Sequence, residues 1–246
     1  MARKRIDLLL VERGLFESRA KAQAAIVAGG VSVDGQLAAK ASDVVDEAAE
    51  IIAQPAHEWV GRGALKLAHA LERWPVSVRG QAVLDVGAST GGFTEVCLKA
   101  GATKVFAVDV GRGQLHPRVA GDPRVVNLEG MDARSLNRAL IPEPPALIVC
   151  DASFIGLEKV LPAALALAAP GAALIALVKP QFQLGPGRVG KGGIVRDEAD
   201  RLEAVAAVVA FFEGAGWMVL GTAPSPISGA DGNVEYLLWA RRPGEA

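Results

Sequence analysis

Cysteine is scarce in this chain: 2 in 246 residues. Cys97 and Cys150 both sit in apolar runs, with no CxxC pair and no disulfide framework. They read as buried thiols of a reducing compartment, and no metal site is expected. A secretion signal is also missing, because the basic N-terminus has no apolar core behind it. No run reaches the ~18 apolar residues that span a bilayer. The longest candidate, 161–178, is broken by Pro162 and by Pro170-Gly171, and reads as a core helix followed by a core strand. A cytoplasmic protein without membrane association is therefore expected. Excess charge is lacking too: 26 basic against 27 acidic side chains give a net charge of −1, so any surface for a polyanion has to be local. What is abundant is apolar residues, 51 % of the chain, enough for one large α/β domain with a small appendage.

The most informative stretch is Asp85-Val86-Gly87-Ala88-Ser89-Thr90-Gly91-Gly92-Phe93-Thr94, directly behind the apolar run Ala82-Val83-Leu84. An apolar run ending in an acid and a glycine-rich turn is how a buried parallel strand hands over to a helix at a nucleotide site. Glycine lets the backbone come close to a ligand there. The spacing departs from the Gly-x-Gly-x-x-Gly of dinucleotide folds and matches the looser turn of S-adenosylmethionine (SAM) sites. Asp109 closes the next strand, followed by Val110, and is placed to hold a ribose diol. Asp132-Ala133, a few residues after the third strand, is placed to read an adenine, with a plain helix cap as the alternative for Asp132.

The first 55 residues have their own pattern. Asp7 is expected to cap a helix ended by Gly14, and Ser18 a second helix over 19–27 closed by Gly29-Gly30. Val31 to Gln36 reads as a short strand turning into a hairpin. Up to residue 25, six basic side chains face three acidic ones. The run Ser18-Arg19-Ala20-Lys21-Ala22, followed by Gly29-Gly30-Val31-Ser32-Val33-Asp34-Gly35, closely resembles the S4 RNA-binding domain. That resemblance implies phosphate contacts from Arg3, Arg5, Arg19 and Lys21, the last two near a helix N-terminus that itself favours anions. A solvated basic face on a packing domain is the alternative. Residues 56–62 read as a linker, in which Trp59 is placed to pack rather than to stack on a base.

From residue 63 to 246 short apolar strands alternate with helices. Strands are expected at 82–86, 104–109, 124–128, 146–150, 172–178, 217–223 and 234–239. Helices are expected at 63–73, 92–100, 157–168 and 198–214, with shorter pieces near 112–120 and 135–140. The last two strands lack a helix between them and should pair antiparallel. The fold class is α/β: a Rossmann-like SAM-dependent methyltransferase fold with a seven-stranded mixed sheet, preceded by a small α+β module. Ligands on such sheets bind beyond the carboxyl ends of the strands.

Four polar residues in apolar surroundings stand out. Lys179 ends the most apolar strand, Asp151 follows Leu147-Ile148-Val149-Cys150, Lys66 lies in a helical run with little other charge, and Glu235 sits in a β-pattern. In this order they resemble the Lys-Asp-Lys-Glu tetrad of FtsJ-type RNA ribose methyltransferases. The nearly full-length pattern resembles the TlyA family, which joins an S4 domain to an FtsJ-like domain. The motifs that carry it are Gly61-Arg62-Gly63-Ala64-Leu65-Lys66-Leu67, Asp85 to Thr94, Ala107 to Gly111, Asp151-Ala152-Ser153-Phe154-Ile155, Val178 to Phe182 and Gly232 to Tyr236. The resemblance implies SAM as cofactor and 2′-O-methylation of cytidine in ribosomal RNA of a ribosomal subunit, 23S first and 16S as a second candidate. It also implies Lys179 as base or oxyanion stabiliser, Lys66 as neighbouring cation, Asp151 orienting Lys179, and Glu235 holding Lys66 or the ribose. A lysine in water is protonated at neutral pH, whereas burial and a nearby cation both favour the neutral amine.

Residues 183–196 form a glycine-rich stretch with three cations, Arg188, Lys191 and Arg196, expected to be a mobile flap over RNA phosphates. Arg62 is a further candidate RNA contact. A monomer or weak dimer is expected. Two other readings stay open: a non-catalytic RNA-binding assembly factor with a vestigial SAM fold, and a membrane-lytic haemolysin. No basic amphipathic helix supports the second. The short tail after the last strand resembles the branch of the family that acts on the large subunit only.

Overall fold

The structure, a computed structural model, describes residues 2–229 and 231–244. The chain divides into two compact units, Met1–Glu58 and Trp59–Ala246.

In the first unit, β1 (Arg3–Arg5) leads straight into α1 (Ile6–Glu12). Then come α2 (Arg19–Val27), β2 (Val31–Val33), β3 (Gln36–Leu37), β4 (Val44–Asp46) and β5 (Ile51–Ala53). β1 pairs with β4, and β2 is flanked antiparallel by β3 and β5. Ser18 caps α2 by accepting from the Lys21 amide. Asp7 does not cap α1: the preceding position is Arg5, and the Asp7 side chain turns inward and is fully buried. The helix brings it within reach of Arg5, Arg19 and Gln23, which all donate to it. The Arg5 hydrogen bonds hold its carboxyl well below the usual carboxylate range. Ile6, Leu10, Phe16, Ala22, Ile26 and Val31 form the small core around this hub.

The second unit runs α3 (Gly63–Arg73), β6 (Ala82–Val86), α4 (Gly92–Lys99), β7 (Lys104–Asp109), α5 (Pro117–Ala120), β8 (Val125–Glu129) and β9 (Leu147–Cys150). It continues with α6 (Leu157–Val160), α7 (Pro162–Leu167), β10 (Ala173–Val178), α8 (Pro180–Gln183), α9 (Glu198–Gly214), β11 (Met218–Pro224) and β12 (Tyr236–Arg241). The seven strands lie in the order β11-β12-β10-β9-β6-β7-β8, parallel except for β12, which runs against both its neighbours. Along β6, Leu84 and Val86 enter the core on one face while Val83 enters the core on the other. A run buried on both faces is what a central parallel strand requires.

Three expectations are corrected here. The expected helix over 157–168 is two helices, because Pro162 cannot continue the first and starts the second. Of the two shorter pieces expected, the one near 112–120 is present as the single-turn α5, while near 135–140 there is only a 3₁₀ turn at Ala133–Ser135. Trp59 and Val60 belong to the second unit: Lys99 sits 4.1 Å above the Trp59 ring, and the Val60 amide donates to buried Glu95.

Candidate active site

The chain order reverses between β6 and β9, each leading to helices on its own side, so a crevice opens beyond their carboxyl ends. Sheet direction gathers the tetrad at this crevice. β12 runs antiparallel to β10, pairing Val178 with Tyr236, so the residue after one strand and the residue before the other, Lys179 and Glu235, leave the sheet at the same end. Glu235 thus stands just ahead of its strand and not within it. Asp151 follows the end of the adjacent β9, and Lys66 reaches in from α3.

The four side chains form a chain of alternating charge. Glu235 Oε2 accepts from Lys66 Nζ at 2.6 Å, Lys66 Nζ lies 3.6 Å from Asp151 Oδ2, and Asp151 Oδ1 lies 2.7 Å from Lys179 Nζ. The last contact is an ion pair whose angle is too oblique for a directed hydrogen bond. Lys179 directs its hydrogen bonds elsewhere, to the Asp151 carbonyl at 3.1 Å and to Ser153 Oγ at 2.8 Å. Lys66, Lys179 and Glu235 are all buried, whereas the Asp151 side chain keeps 18 % of its surface. In so dry a place each charge depends on its partner. The approach is tight: a Cβ on Gly63, in the first turn of α3, would stand 3.2 Å from Asp151 Oδ2.

Three cavities meet here. One of about 600 Å³ runs along Gly87, Asp109, Val110, Asp132, Ala133 and Ile155. One of about 160 Å³ lies under the glycine turn, between Ala88, Ser89, Thr90, Gly92 and Phe93. The third, about 380 Å³, is floored by Lys66, Lys179 and Glu235 and rimmed by Arg62. All three share Asp151 and Ser153 as walls. Ser153 is the residue that sequence reasoning missed, since a serine after a strand carries no periodic or charge signal. Phe154 beside it was also missed. It holds a positive φ of 65°, is 89 % exposed, and lies 5.2 Å from the Phe182 ring.

Most of the glycine turn lines the small cavity, and two of its glycines also serve packing. Gly87 has φ +82°, and a Cβ there would fall 2.9 Å from the backbone of Ala152, so it lets the ends of β6 and β9 close up. Gly91 faces Leu115 and Val119 and lines no cavity, which makes it a packing glycine. Asp85 does not line a cavity either. It is fully buried behind the turn, where Thr94 Oγ1 donates to its Oδ2 at 2.6 Å and its Oδ1 has no partner among the described residues. Burial pushes its carboxyl up to about 7. Asp109 does face the large cavity, with its oxygens accepting from the amides of Ser89 and Gly111. Asp132 caps the 3₁₀ turn and pairs with Arg134, whose hydrogen bond holds its carboxyl down at about 2.

The candidate RNA contacts differ in freedom. Arg5 and Arg19 stand side by side on Asp7 with about half of each side chain exposed. Lys21 pairs with Glu17, and Arg3 donates to the Val44 carbonyl. Arg62 donates to the Ser228 carbonyl. Arg188 is tied to Asp200 and Glu203 of α9, and Asn233 clamps the end of the same loop by accepting from the Val195 amide and donating to the Gly193 carbonyl. The stretch expected to be a mobile flap is thus fastened at Arg188 and at Gly193 and Val195, leaving Lys191 exposed between the fastenings and Arg196 exposed just beyond them.

Comparison with known proteins agrees with this geometry. The FtsJ-like methyltransferase family model matches residues 59–242, and the S4 domain model matches residues 4–51. The chain is 47 % identical over 244 residues to the 16S/23S rRNA (cytidine-2′-O)-methyltransferase TlyA of Mycobacterium tuberculosis, covering 98 % of this chain and 91 % of the relative. The chain belongs to the TlyA family of FtsJ-like methyltransferases. A second relative, Hemolysin A of Brachyspira hyodysenteriae, is 37 % identical, covering 95 % of this chain and 98 % of its own length. A solved structure from Streptococcus thermophilus, provisionally described as a hemolysin, superposes with a TM-score of 0.78 at 37 % identity, covering 99 % of this chain and 90 % of its own. No helix among the described residues is long and apolar enough to cross a membrane.

Proposed function

We propose that this protein transfers a methyl group from SAM to the ribose 2′-hydroxyl of a cytidine in ribosomal RNA. The first unit would contribute the RNA grip and the second the chemistry, in the cytoplasm. The observation that carries this reading is the junction of cavities. The large cavity beside Asp109 and the tetrad cavity share Asp151 and Ser153, and both of these touch Lys179.

The large cavity suits SAM by its donor set. Each oxygen of Asp109 accepts one backbone N–H and retains a lone pair for a ribose hydroxyl. Asp132 offers a carboxylate to an exocyclic amine, while Val110, Ala133 and Ile155 give apolar walls for a purine. Ala88, Ser89, Thr90 and Gly92 line the small cavity beside them. SAM brings a methyl group already activated by its sulfonium, so the protein has only to align the hydroxyl and help its proton leave.

Lys179 is the group for that task. Its three oxygen neighbours fix the amine at the shared wall, and Ser153 Oγ is the contact that can be exchanged for the substrate hydroxyl. As the ammonium of the ion pair Lys179 stabilises the developing oxyanion, and as the neutral amine it accepts the proton. Lys66 balances the charge of Asp151, and Glu235 holds Lys66. Arg5, Arg19 and Lys21 on the S4 unit, with Arg62, Lys191 and Arg196 on the other, supply phosphate contacts.

Two measurements test this. Calorimetric titration with SAM should show binding, and mass mapping of ribose methylation should show a cytidine that loses its 2′-O-methyl group when the gene is deleted. Absence of SAM binding would favour a non-catalytic assembly factor instead.

A further inference from the structure

The cavity floored by the tetrad carries two charges beyond the tetrad, the Arg62 guanidinium and the Asp231 carboxylate. Lys66, Asp151, Lys179 and Glu235 neutralise one another, and Arg62 donates to the Ser228 carbonyl. Asp231 lines the same cavity, is exposed, and has no hydrogen bond or ion pair with any described residue. A free carboxylate is a liability on a surface that must receive a polyanion, since it repels every phosphate that approaches. It becomes an asset where it meets a hydrogen-bond donor on a base edge.

We propose that Asp231 selects the target base by accepting a hydrogen bond from the exocyclic amine of cytosine. This rests on the reading of the cavity as a nucleotide site given above. Cytosine carries two N–H groups on N4, whereas uracil carries at the same place a carbonyl oxygen that a carboxylate repels. A second acceptor waits in the same cavity: Gln181 lines it, and its Oε1 is buried without a partner among the described residues. Arg62 spends one N–H on the Ser228 carbonyl and keeps the others for a phosphate, whereas Asp231 and Gln181 Oε1 are acceptors without a donor, and an amine supplies one.

The position is held firmly. The turn carrying Asp231 is closed by Gly229 N–H donating to the Asn233 carbonyl and by Gly232 N–H donating to the Gly229 carbonyl, while Arg62 ties the adjacent Ser228. The turn also leans on the tetrad, for a Cβ on Gly229 would stand 2.5 Å from Glu235 Oε1. Asp231 and the reacting lysine are thereby referred to one frame, so a base recognised by the first sets the ribose near the second.

The test uses the full-length protein and two rRNA substrates, one with the mapped target cytidine and one with uridine in its place. Initial rates of 2′-O-methylation are read by nucleoside mass spectrometry. The wild type should prefer cytidine. Asp231→Asn, whose amide can donate to a uracil oxygen, should lower that preference by about 10–100-fold, the range of one base contact. Asp231→Glu should retain most of the preference, and SAM affinity should be unchanged in both variants. An unaltered cytidine-to-uridine ratio in Asp231→Asn overturns the proposal, as does an equal loss on both RNAs. A wild type that methylates neither RNA while binding SAM overturns the nucleotide-site reading itself, and this proposal falls with it.

Discussion

Lys66 and Glu235, 169 positions apart in the chain, meet at 2.6 Å with both side chains buried. Neither could be where it is alone. The contact joins the helix that opens the second unit to the residue just ahead of its last strand, so the geometry of the candidate site and the closure of the fold depend on the same ion pair.

Breaking that pair from one side should therefore cost stability as well as activity. Lys66→Met leaves Glu235 as a buried charge without its partner, a loss of about 3–5 kcal/mol. The double variant Lys66→Met/Glu235→Gln should recover most of the stability and none of the activity. A double-mutant cycle by denaturant unfolding, run beside a methylation assay, separates the two effects.

Ser153 should matter through Lys179. Ser153→Ala removes one of the oxygens that fix the amine, and a hydrogen bond to a charged group is worth about 1.5–3 kcal/mol. A 10–100-fold fall in kcat is expected, with SAM affinity little changed, because the serine touches the lysine through a side-chain oxygen and lies at only one edge of the large cavity. Steady-state kinetics beside calorimetry check this.

Asp85 gives the stability curve an unusual sign. Its carboxyl holds a proton in the folded chain up to about pH 7, but only to about 3.9 when unfolded. Between these values the folded state binds the extra proton, so stability falls as pH rises, by up to ~1.4 kcal/mol per pH unit. The carboxyls held low, such as Asp132 and Asp122, act at lower pH and in the opposite direction. Thermal unfolding from pH 5 to 8 should show the decline in the wild type, and Asp85→Asn, which keeps an acceptor for Thr94, should flatten it.

Much of this site could be read before any coordinates. Lys179, Asp151 and Lys66 are polar residues in apolar surroundings, and such residues reach solvent only at strand or helix ends, where ligands bind. The ends of α2 were legible for a similar reason, since Ser18 and the glycine pair around residue 29 are local signals. Roles decided by tertiary neighbours were not legible. Asp7 has the sequence of a helix cap but turns inward to serve Arg5, Arg19 and Gln23. Asp85 has the sequence of a ligand residue but lies behind the turn. Gly91 has the sequence of a ligand-approach glycine but admits Leu115. The loop over 183–196 looks free because Asn233 and α9, which fasten it, lie far along the chain.

The most direct test of the central claim is methyl transfer from labelled SAM to ribosomal RNA by Lys179→Ala, measured under single turnover with SAM binding checked in parallel. The account requires the transfer rate to fall by about 10²–10⁴-fold, as loss of a proton-transfer group does, while SAM still binds. A variant that methylates ribose at the wild-type rate would contradict it.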